Sequence, residues 1–144
     1  MDTSRSEIRV IIPGRLSGLN EHDYENRRGK QAGARHKREQ QQIVEYCILA
    51  AGAPKVPAAW YPLSVTFRWR EKDRMRDPDN IAFAKKYILD ALQTMRTIQG
   101  DGWRHICSLA DEFDIDKERP HIEVIIRPGG WAKMQLLGDK KGVK

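Results

Sequence analysis

The sequence predicts a single small α/β (α+β) domain over residues 1–130, a mixed β-sheet with two main helices in the order β-α-β-α-β-β. Three observations predict it. A chain of 144 residues has room for one modest core. Two segments, "YPLSVTFRWR" and "HIEVIIR", alternate apolar and polar residues with the period of a half-buried strand. Between and before them lie two stretches whose apolar residues recur every three or four positions, the period of an amphipathic helix.

The elements follow in chain order. "IRVIIPG" (Ile8 to Gly14) is β-branched and stops at Pro-Gly, which reads as a strand. The polar run "RLSGLNEHDYENRRGKQAGARHK" reads as a mobile loop leading into a helix. It carries Arg27, Arg28, Lys30, Arg35, Lys37 and Arg38. The helix spans roughly Gly33 to Ala51, with Ile43, Val44, Cys47, Ile48 and Ala51 as its apolar face and Gly52 and Pro54 as its stop. In the next strand Leu63, Val65, Phe67 and Trp69 face the core, and Ser64, Thr66, Arg68 and Arg70 face away. A second helix covers about Asn80 to Arg96, with Ile81, Ala84, Ile88, Ala91, Leu92 and Met95 as its stripe. Gly100 and Gly102 break the chain before the strand "WRHICSLADEFDID", and "HIEVIIR" closes the sheet. Residues 131–144, "WAKMQLLGDKKGVK", read as a flexible basic tail.

Composition narrows the function classes. Hydrophobic residues make up 40% and charged residues 32%, and no apolar run approaches the ~18 residues of a membrane span. "MDTSRSEIRV" lacks the basic-then-apolar pattern of a signal peptide, so a cytoplasmic location is expected. Cys47 and Cys107 lie in apolar contexts without a CxxC or His spacing. They read as buried free thiols, and zinc finds no ligand set. The net charge of +6 favours an anionic partner such as nucleic acid. No GxxxxGK[ST] loop, GxGxxG turn or EF-hand spacing is present, and the histidines are isolated.

The unusual stretch is "RMRDPDN", Arg74 to Asn80. A helix start accounts for it in one way: Asp77 as N-cap, Pro78 at the first helical position, Asp79 against the helix dipole. A metal site accounts for it in another. Mg²⁺ takes clustered carboxylate oxygens and leaves room for substrate phosphates. A third acid, Asp101, stands in the turn "QGDGW". On a continuous helix Lys86 falls about 20° from Asp79 two turns on, while Lys85 falls about 120° away. Lys86 also leans toward the acids, which makes it the better phosphate contact. Its alternative role is an i,i+4 ion pair with Asp90.

"RDPDNIAFAKKYILDALQ", followed by "IQGDGWRHI" and "DEFDIDKERPHIEVII", resembles the RusA family of Holliday-junction resolvases, including its phage-encoded branch. The likeness covers about Trp60 to Arg127. It implies a dimeric, Mg²⁺-dependent endonuclease, with Mn²⁺ as a possible substitute, that cuts four-way DNA junctions symmetrically in recombination and repair. It carries the metal-binding acids over to Asp77, Asp79 and Asp101, the Asn after the pair to Asn80, and the catalytic lysine to Lys86. The chain has three more residues between "DN" and "DAL" than the best-known member. Under this resemblance Arg27, Arg28, Lys30, Arg68, Arg70, Arg74 and Arg76, with Asn80, are the expected DNA contacts. The expected partners are branched DNA and a second copy, with no membrane or small-molecule cofactor, in a bacterial or phage setting. Two alternatives stay open: a flap or fork nuclease of the same chemistry, and a non-catalytic basic DNA-binding module.

Overall fold

The structure is a computed structural model and describes residues 6–130; the predicted tail, 131–144, lies outside them. Four strands form one sheet: β1 (Ile8–Pro13), β2 (Leu63–Glu71), β3 (Ile106–Ile115) and β4 (His121–Pro128), in the spatial order β1-β4-β2-β3. β4 runs antiparallel to both β1 and β2, while β2 and β3 are parallel. The sheet is therefore mixed, as predicted, and a helical crossover joins its parallel pair.

Register explains the core. Ile8, Ile126 and Val65 form one cross-strand row, Val10, Val124 and Phe67 the next, and Ile12, Ile122 and Trp69 the third. All nine are buried. The helices α2 (Lys30–Ala51) and α4 (Lys85–Thr94) contribute Val44, Ile48, Ile88, Ala91 and Leu92 to the same cluster. The alternation of "LSVTFRW" thus does what its period requires, turning one residue in two onto the helix layer.

The opposite sheet face carries a charge ladder at one end. Ser64, Thr66 and Ile125 on the same face are buried, so β2 is covered on both faces there and not on one as its alternation implied. Arg68 stands between Glu112 and Glu123, and Arg70 between Asp114 and His121. Arg68 bonds Glu112 at 3.0 Å and Glu123 at 3.5 Å, and Arg70 bonds Asp114 at 2.7 Å. Opposite charges on directly facing strand positions stabilise a pairing.

The first predicted helix is preceded by another, and the second divides in two. The supposed loop before Gly33 contains a helix of its own, α1 (Leu19–Arg28). Gly29, at φ +140°, takes the backbone out of α1 and into α2. Glu21 supplies the missing start signal, its carboxylate accepting the Gly18 N–H at 2.9 Å. The predicted helix from Asn80 to Arg96 is α3 (Pro78–Ala82) followed by α4, with a turn at 83–84. The apolar stripe of α2 is narrower than its periodicity implied, since Ile43 is exposed and Cys47 only part-buried. Cys107 is exposed rather than buried, because β3 is an edge strand. The described helices include none long and apolar enough to cross a membrane.

Candidate active site

β2 ends at Glu71, and the chain turns through Asp73 to Arg76 before α3 begins. One ion pair holds that turn. Arg76 donates from Nε and Nη2 to the two carboxylate oxygens of Glu71, both at 3.0 Å, and from Nη1 to the Leu16 carbonyl at 3.0 Å. The Arg76 and Glu71 side chains are only 9% and 6% exposed. A planar guanidinium meeting a carboxylate through two bonds fixes orientation as well as distance. Arg76, expected at the DNA surface, is instead internal, because the buried Glu71 charge requires a partner.

Asn80 is the second correction. It is 8% exposed, and its Oδ1 accepts the Asn20 N–H at 2.9 Å. A Cβ on Gly18 would stand 2.6 Å from both the Asn80 carbonyl and its Oδ1, so only glycine lets the start of α1 approach so closely. Asn80 locks α1 to α3 and is largely withdrawn from the surface on which it was expected.

Between these anchors the acids stand free. Asp77 holds the N-cap position of α3, with φ −71° and ψ 152°, and its side chain makes no capping hydrogen bond. Asp79 accepts only its neighbour's N–H, Asn80 N to Oδ1 at 2.9 Å. Both carboxylates are exposed, and neither has an ion-pair partner among the described residues. Asp77 lines a cleft with Asp73, Arg74, Pro78, Ile81 and Phe113. The helix-start account therefore places Asp77 correctly but leaves its charge unused. Two exposed carboxylates at one helix start suit a hard divalent cation, whose other ligands are water and phosphate oxygen.

Asp101 does not join them within one chain. Leu63 pairs with Ile106 at one end of the parallel strands and Glu71 with Ile115 at the other. Asp101 precedes Ile106, whereas Asp77 and Asp79 follow Glu71. Nine residues of β2 separate the two ends, roughly 26 Å at ~3.3 Å per residue. No three His, Cys, Asp or Glu side chains among the described residues come together as a metal set.

The lysines divide sharply. Lys85 donates to Asp111 at 2.6 Å and lies 5.6 Å from the Phe67 ring centre. The Trp69 indole N–H donates to the other Asp111 oxygen at 2.8 Å. Lys86, the next residue, is exposed. Asp90 pairs with Lys37 at 3.6 Å, not with Lys86. The turn at 83–84 brings i→i−3 bonds, Lys86 to Phe83 at 3.2 Å and Tyr87 to Ala84 at 3.0 Å. Such turns advance about 120° per residue. The alignment of Asp79 with Lys86 on a continuous helix therefore does not carry across the break. Asp111 escaped the sequence reading, since only the parallel register opposite Phe67 brings it beneath Lys85.

Next to Lys86, His22 lies 4.7 Å from the Phe83 ring and 3.2 Å from the Tyr87 hydroxyl. Burial lowers the His22 pKa, and the nearby Lys86 charge adds to the effect. Burial also pushes Tyr87 up to about 12, with Glu21 contributing. Of the expected DNA contacts, Arg68 and Arg70 are engaged in the charge ladder. Arg74 is exposed beside Asp77, and Arg27, Arg28 and Lys30 are exposed where α1 meets α2. Arg28 also pairs with Glu25 at 3.0 Å. Compared with protein-family models and with curated proteins, the chain finds no match in either.

Proposed function

We propose that the protein is a Mg²⁺-dependent endodeoxyribonuclease that cuts four-way DNA junctions as a homodimer. One observation carries the reading. Among the described residues Asp77 and Asp79 stand exposed without ion-pair partners in a chain of net charge +6, while the neighbouring Glu71 is held by Arg76. The resemblance of "RDPDNIAFAKKYILDALQ" to the RusA family supports it. So does the cluster of exposed cations where α1 meets α2, which suits phosphate contacts.

Asp77 and Asp79 would hold the ion. When bound, Mg²⁺ lowers the pKa of a water and offsets charge on the phosphate. The resemblance, rather than the helix geometry, assigns the exposed Lys86 to that phosphate, where an ammonium group would offset developing negative charge. The separation of Asp101 from the pair means that an ion shared by all three acids requires a second copy. Twofold symmetry of the junction asks for such a dimer on its own account.

The test is incubation of the purified protein with a four-way junction, with and without Mg²⁺, beside linear duplex and flap substrates. Paired symmetric nicks in the junction alone, dependent on Mg²⁺, are the expected result. Preferential cutting of the flap would move the substrate to the flap or fork class. Binding with no cleavage in either Mg²⁺ or Mn²⁺ would overturn the nuclease reading.

A further inference from the structure

β3 is an unusual edge. Its inner side pairs with β2, and its outer side pairs with no strand among the described residues. It is ten residues long and contains no Lys, Arg or Pro. The opposite edge, β1, has six residues and is interrupted by Arg9 and Pro13. Charges, proline and short length are the usual protections of an exposed edge. β1 has all three, whereas β3 is long, has no proline, and carries only the acids Asp111, Glu112 and Asp114. Leu109 and Phe113 also stand 45% and 42% exposed on β3.

Each acid of β3 has a cation partner within its own chain, which lessens its opposition to self-association, including that of Asp111 to the partner's Asp111 at the axis. Asp111 pairs with Lys85 at 2.6 Å, Glu112 with Arg68 at 3.0 Å and Asp114 with Arg70 at 2.7 Å. From these observations we propose that the outer edge of β3 is the homodimer interface, pairing antiparallel with β3 of a second copy so that Leu109 faces the partner's Phe113. The proposal rests on the homodimer reading above and adds the surface that builds it.

Self-complementarity sets the register. Continuity of the sheet requires facing residues of like parity, since successive side chains point to opposite faces. Centring the twofold axis on Asp111 sets Leu109 against Phe113 twice, once on each side of the axis. Moving the centre by one residue sets Leu109 against Asp111 in one direction and Phe113 against Asp111 in the other. Only the first choice buries both exposed apolar residues together. Trp103, 97% exposed, and Asp101 line a groove at the start of β3. Phe113 lines the Asp77 cleft at its other end. Antiparallel pairing lays the groove of one copy beside the cleft of its partner.

The test is sedimentation equilibrium of the full chain without DNA or Mg²⁺, which reads assembly apart from nuclease activity. Wild type sediments as a dimer of the 16.6 kDa chain. Leu109→Lys with Phe113→Lys shifts it to monomer, weakening association by at least about tenfold because each change counts twice across a twofold axis. Tyr46→Lys with Leu49→Lys, on the exposed face of α2, leaves the dimer intact. Oxidation of Leu109→Cys with Phe113→Cys crosslinks the chains, whereas either single variant does not. Within one strand those two positions lie about 13 Å apart, too far for a disulfide. A wild-type monomer at all concentrations, a dimer lost only in the α2 variant, or no crosslink in the double cysteine variant would overturn the interface. The nuclease reading would still stand or fall on the cleavage assay.

Discussion

The carboxylates of the sheet and those of the turn after it live under opposite rules. On the open sheet face, Glu112, Asp114 and Glu123 each meet an arginine from a facing strand, and Glu71 meets Arg76 behind the turn. A few residues on, Asp77 and Asp79 meet no cation among the described residues, although Arg74 and Arg76 lie beside them in sequence. The contrast teaches what the local charges are for. Arg76 serves the fold by covering a buried acid, and it leaves the exposed pair available to something outside the chain. Side chains that balance one another inside the structure are poor candidates for ligand binding, however suggestive their spacing.

The comparison breaks most visibly at the acids themselves. Asp77→Asn or Asp79→Asn should reduce junction cleavage by a factor on the order of 10² or more, the scale of losing a group that stabilises charge in the transition state. Thermal unfolding should be nearly unchanged, since Asn serves an N-cap about as well as Asp. Wild-type cleavage rates in these variants would show the pair to be structural.

The opposite behaviour is expected behind the turn. Arg76→Ala leaves the Glu71 carboxylate buried without its cation, which should cost about 3 kcal/mol or more in a urea titration. An unchanged midpoint would mean that the pair does not hold the turn. Gly18→Ala probes the Asn80 anchor. Its new Cβ meets backbone at 2.6 Å, so α1 must shift, and destabilisation of about 1–3 kcal/mol is expected. A neutral result would show that α1 moves freely against α3.

The smallest effect belongs to the charge ladder and is a matter of pH. His121 donates from Nδ1 to the Arg119 carbonyl at 2.7 Å, and its Nε2 lies 3.1 Å from Glu123. The backbone bond and the Glu123 charge raise its pKa above 6.5 in spite of burial. A histidine with a raised folded pKa contributes stability that is complete below about pH 6.5 and fades as pH rises through the folded value. His121→Gln should remove that part of the pH dependence. An identical profile in wild type and variant would show the contact to be energetically silent.

Much of this was legible in the sequence. "YPLSVTFRWR" and "HIEVIIR" announced their buried faces, because strand alternation is a local property that the residues carry with them. The pair Asp77 and Asp79, set around Pro78, was visible for the same reason. α1 was missed because none of its residues is fully buried, so it has no apolar stripe to read. The break between α3 and α4 was missed because Ile81, Ala84 and Ile88 keep helical spacing through it.

The sequence by itself therefore determined the fold class, the core-facing residues of β2 and β4 and the exposed acidic pair, all of which depend on neighbours within a few residues. It did not determine the burial of Ser64, Thr66 and Ile125 on the other sheet face. The tertiary structure decided the rest. It assigned Arg76 and Asn80 to the interior, gave Lys85 to Asp111 and left Lys86 in solvent, and put Asp101 at the far end of β2 from Asp77. The physical reason is that a charge's role depends on its nearest partners in space. For Arg76 that partner was five residues away, but for Asn80 it was 60 and for Lys85 it was 26, across separations that no local pattern encodes.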